Sequence, residues 1–137
     1  MITIAETAKA YIAAAERCEE QRTINERQFQ ILLVPSITNR AFAAELYLKA
    51  IAMIDGKKLR GHDLKNLFDS LTEDRRSAII AAVGTEEISF LSELEKNANL
   101  FVDWRYLFEK SDIQVSWQFL KKFAYSAKEI FEKAVSR

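Results

Sequence analysis

Arg105 is the residue whose position most strongly suggests chemistry, because it interrupts an apolar stripe. Leu91, Leu94, Ala98, Phe101, Arg105 and Phe108 recur at alternating steps of three and four and so fall on one face of a helix. Burying an unpaired guanidinium there costs several kcal/mol, which calls for a partner carboxylate, a ligand phosphate or a second subunit. The alternative is that its methylenes run along the apolar surface while the head reaches water. Glu45 and Lys49 are a second pair of interest. Spaced four apart with the acid nearer the N-terminus, they suit a surface ion pair. An inward-facing Glu45 could instead hold Arg105 in a charge-assisted pair, with Glu109 as a competing local partner. His62 titrates in the range suited to proton transfer and has Asp63 beside it, but both residues also suit the capping of a helix start.

Phosphate contact is the other chemistry on offer. Lys57, Lys58, Arg60 and Lys65 form one basic group and Lys121, Lys122 and Lys128 another. If the two lie together they would hold phosphates with salt-sensitive affinity. Trp104, Tyr106 and Trp117 could stack bases or could serve as core. Gly56, Gly61 and Gly84 fit neither Walker nor Rossmann spacing. Cys18 and His62 are each the only residue of their type, so a disulfide within the chain and any cysteine- or histidine-rich metal site are excluded. No metal or cofactor is expected. A solitary cysteine fits a reducing, cytoplasmic setting.

These side chains need helices to position them. The chain has 137 residues, 49% hydrophobic and 29% charged, with three glycines and one proline, a composition that favours one all-α domain spanning 1–137. Twenty basic and twenty acidic residues cancel, so any attraction to nucleic acid must be local. Periodicity predicts a helix from about Ile4 to Glu20, a polar run from Glu19 to Gln28 that either extends it or loops, and a core helix opening at Pro35 and ending near Ile54. A short helix follows from about Asp63 to Ser70. The next is capped by Thr72 and stopped by Gly84. Thr85, Glu86 and Glu87 then open a helix carrying Arg105 to about Lys110, and Ser111 or Asp112 caps a last one. The charges among Met1–Cys18 argue against a signal peptide or membrane span.

The run Phe42, Ala43, Ala44, Glu45, Leu46, Tyr47, Leu48, Lys49, Ala50, Ile51, followed by Gly61, His62, Asp63, Leu64, Lys65, Asn66, Leu67, resembles the HEPN superfamily of small α-helical domains. That family has an Ala-x-Glu-Leu-x-Leu-Lys-Ala helix, a Gly-His-Asp-Leu-x-x-Leu helix start and a later Arg-Tyr pair, here Arg105 and Tyr106. The resemblance covers about Pro35 to the end. It implies an up-and-down bundle of four or five main helices plus a short one. It also implies homodimers, and roles as metal-independent ribonucleases or as RNA- or nucleotide-binding modules in toxin–antitoxin, defence and stress systems. The nuclease branch places a histidine four to six residues after its arginine, where this chain has Glu109, Lys110 and Ser111.

The expected function is therefore a non-catalytic binding or regulatory module for RNA, a nucleotide or a protein partner. Its ligand-contacting candidates are Arg105, Tyr106, Lys49, Arg60, His62 and Lys65. Two rivals stand beside it: a divergent ribonuclease using Arg105 with Tyr106, Glu45 or His62, and a purely structural interaction module.

Overall fold

The computed structural model describes residues 3–20, 26–98 and 113–136. Those residues form an all-α bundle with no strand: α1 (Ile4–Glu20), α2 (Glu26–Ile54), α3 (Leu64–Asp69), α4 (Glu73–Val83), α5 (Glu87–Lys96) and α6 (Ile113–Val135). Among them no helix is long and apolar enough to cross a membrane.

α2 is the central helix, packed against both α1 and α6, while α3 rests on α2 and α4 on α6. Its sequence requires this. Ile37, Ala41, Ala44, Tyr47, Leu48 and Ile51 are buried along one stripe, and Ala43, Ala50 and Ala52, also buried, widen the covered face beyond it. Small side chains at Ala41, Ala43, Ala44 and Ala52 let the neighbouring helices approach. Tyr11 of α1 stacks on Phe42 at 4.3 Å between ring centroids. α6 buries Leu120, Phe123, Ala124 and Ala127 against the bundle.

Pro35 lies inside α2 and does not open a new helix. An interior proline forfeits one backbone hydrogen bond and costs about 3 kcal/mol or more. The buried segment that follows it, from Ser36 through Ala44, offsets that loss.

The short connections match their sequence signals. Asp63 accepts from the Asn66 backbone N–H at 2.9 Å and starts α3. Thr72 accepts from the Arg75 N–H at 3.3 Å and starts α4, and Gly84 ends α4 with φ +82°, a conformation suited to glycine. Thr72→Ala is expected to cost about 1 kcal/mol in a urea titration; an unchanged midpoint would mean that the cap contributes nothing. Arg75 then clips α4 to the end of α2 through two bonds to Asp55, at 3.0 and 3.1 Å. The Arg75 hydrogen bond holds the Asp55 carboxyl below its ordinary range.

α5 departs from expectation at both ends. Glu86, with no side-chain capping bond, is its N-cap in place of Thr85. The helix stops at Lys96, well short of Lys110. Asn97 is buried there, its Nδ2 donating to the Glu93 carbonyl at 2.8 Å, and the next carbonyl, that of Ala98, accepts from the Leu64 N–H at 2.8 Å. Leu91 and Leu94 of the expected stripe are therefore helical and Ala98 lies beyond the helix end, while Phe101, Arg105 and Phe108 lie outside the described residues.

Candidate functional site

Three of the residues singled out by type and spacing meet at one place. Glu45 faces inward from α2 and is buried, as its apolar surroundings in sequence suggest. Lys49, one turn along, donates to its Oε2 at 3.1 Å. Nδ1 of His62 lies 3.1 Å from both Oε1 and Oε2 of the same carboxylate.

The loop geometry explains why a residue seventeen positions away arrives there. The chain turns at Asp55 and Gly56, and Gly61, at φ +98°, reverses it again immediately before His62. Asp63 is committed to capping α3, so the carboxylate that orients His62 is Glu45 and not its neighbour.

Nδ1 of His62 is thus within hydrogen-bond reach of both carboxylate oxygens, and the tautomer that carries its proton there can donate to Glu45. The imidazole side chain remains 54% exposed while the carboxylate behind it is buried. Such an arrangement can steady a positive imidazole against an anion or present the ring for proton transfer. Tyr47, close by on α2, is neutral. Burial, and after it the charge of Glu132, pushes its phenol up to about 12.

The basic residues divide. Lys57 donates to the Ser70 carbonyl at 3.2 Å, and Lys65 pairs with Asp69 at 2.8 Å, a bond that raises its pKa. Arg60 is exposed, two residues before His62 in the chain. The α6 lysines do not join this group. Lys121 and Lys122 line a separate cavity of about 640 Å³ with Trp117 and Tyr125, and Lys128 approaches Glu132 at 3.9 Å. Lys121 also covers the Trp117 ring at 5.2 Å, so an ammonium occupies the face that a base would need.

Arg105 and Tyr106, with Trp104, lie outside the described residues, as does the proposed Glu45–Arg105 pair. The buried arginine that is described is Arg40. It is 0% exposed on α2, its Nη2 donates to Glu19 at 2.5 Å, and its guanidinium lies 4.9 Å from the centre of the Tyr125 ring. Burial pulls its pKa down, but the bonds and charges of Glu19 and Tyr125 prevail and leave it above its ordinary value. The signal for it was present: Ile37, Arg40, Ala44 and Tyr47 step by three and four just as the Arg105 stripe does.

Among the described residues no group of three His, Cys, Asp or Glu side chains is placed to hold a metal. No family model, curated protein or solved structure matches this chain.

Proposed function

We propose that this chain is a HEPN-like module that binds a phosphate-bearing ligand, RNA or a nucleotide, without cleaving it. It does so at the surface formed by His62, Arg60 and Lys49 over the buried Glu45. The observation that supports this is the exposed imidazole anchored through Nδ1 by a buried carboxylate. An exposed ring nitrogen donor, with the exposed Arg60 two residues away in sequence, suits an anion. The resemblance adds a homodimer and a toxin–antitoxin or defence setting to the reading, with Arg105 and Tyr106 as further ligand contacts. A second reading, metal-independent ribonuclease activity, draws on the same contact, since an imidazole oriented by a carboxylate also suits proton transfer.

Labelled single-stranded RNA separates these readings when incubated with wild type, His62→Ala and Arg105→Ala, with and without EDTA. Intact RNA is expected to be retained by wild type and held roughly tenfold more weakly by His62→Ala, the loss of one charge-assisted contact. Retention is also expected to fall with added salt. Chelator-resistant cleavage that disappears in His62→Ala would establish the ribonuclease. Absence of both cleavage and retention would move the search to small nucleotides and protein partners.

A further inference from the structure

The large apolar side chains exposed among the described residues are Met53, Ile54, Ile88 and Val135. Scattered exposure of such residues is ordinary. Here Met53, Ile54 and Val135, at 55%, 39% and 53% exposure, line one cleft of about 610 Å³ where the start of α1 meets the ends of α2 and α6. A concave concentration of apolar surface marks a binding site, and this volume falls in the range of about 300–1,000 Å³ that encloses small ligands.

The lining also has a charge pattern. Ala50 contributes a small side chain that leaves depth, and Phe131 contributes an aromatic surface. Two lysines, Lys49 and Lys58, line the cleft, and among the described residues no carboxylate does. Lys49 donates to Glu45 Oε2 at 3.1 Å. Lys58 makes no ion pair with a carboxylate of the described residues, so its ammonium stands as the second cation beside an apolar hollow.

We infer that this cleft binds a small anionic amphiphile, a carboxylate-headed aliphatic chain whose body lies against Met53, Ile54 and Val135 and whose head meets Lys58. The inference stands independently of the phosphate reading of His62, because its ligand is chiefly apolar and its recognition needs no imidazole.

The test is calorimetric titration of the untagged full chain with decanoate, and separately with decanol, both below the concentration at which they aggregate. Wild type is expected to bind decanoate saturably and at least tenfold more tightly than decanol. Lys58→Glu is expected to abolish that preference, and Met53→Glu, placed at an exposed position, to weaken both ligands with the melting curve unchanged. Absence of saturable decanoate binding, or equal affinity for the two ligands, would overturn the proposal. So would a wild-type dimer on light scattering that Met53→Glu converts to monomer with no uptake of decanoate, since a second copy would then cover the cleft.

Discussion

Phe90→Ala is expected to lower the unfolding free energy by about 3–5 kcal/mol, the range for removing a fully buried aromatic ring. Phe90 is 0% exposed and sits among Phe68 of α3 and Phe119 and Phe123 of α6, at ring-centroid distances of 5.0, 5.6 and 5.7 Å. The Phe90 and Phe123 rings meet nearly edge to face, at 85°, the arrangement that aromatic quadrupoles favour. α5 has ten residues and buries Phe90 and Leu94, so this ring is its main attachment to the bundle. Phe90→Leu keeps most of the volume and is expected to cost less than about 1.5 kcal/mol. Urea unfolding followed by circular dichroism measures both. A loss below about 1 kcal/mol for the alanine variant would show that the cluster closes over the gap or that α5 is held elsewhere.

Glu19→Ala and Arg40→Met are expected to differ sharply although they remove the two ends of one ion pair. Taking away Glu19 leaves a fully buried guanidinium with no carboxylate and with Tyr125 as its remaining contact, its Nε and Nη1 having no hydrogen-bond partner among the described residues, and the expected cost is about 3–5 kcal/mol. Taking away Arg40 leaves a carboxylate that is 21% exposed, still accepts from Ser36 at 3.0 Å and has Lys121 at 3.9 Å. Methionine fills much of the vacated space with flexible apolar atoms, so Arg40→Met is expected to cost no more than about 1 kcal/mol. Equal losses in the two variants would mean that the pair contributes through its mutual attraction and not through the penalty of an unpaired charge. The contrast is expected to persist in added salt, because buried pairs are little screened.

The two arginines show what could be read from the chain and what could not. The spacing that drew attention to Arg105 fits Arg40 equally well, and sequence reading did not single Arg40 out. Arg40 is held by Glu19 from α1 and Tyr125 from α6, and both contacts are tertiary. The caps at Asp63, Thr72 and Gly84 were legible because the relevant bonds span three or four residues. Pro35 was not, since a proline fits a first turn and an interior turn with the same local backbone. The stop at Lys96 had a signal in Asn97, but its force comes from the bond between Leu64 and Ala98, across a separation no periodicity encodes. For the site, the inward turn of Glu45 was foreseeable from its apolar surroundings. Its pairing with His62 depends on a loop that doubles back, and no spacing rule connects positions 45 and 62.

Thr3 and Val135 line the same apolar cleft, so the two ends of the bundle open at one mouth. Any polypeptide joined to either end is tethered two residues from Thr3 or from Val135. A short flexible tether holds its first residues there at an effective concentration in the millimolar range. An apolar appended segment would therefore compete with every freely diffusing occupant without needing high intrinsic affinity. A purification tag is such a segment, and so is a fused domain, which makes the covalent neighbourhood of this bundle a determinant of what its cleft can hold.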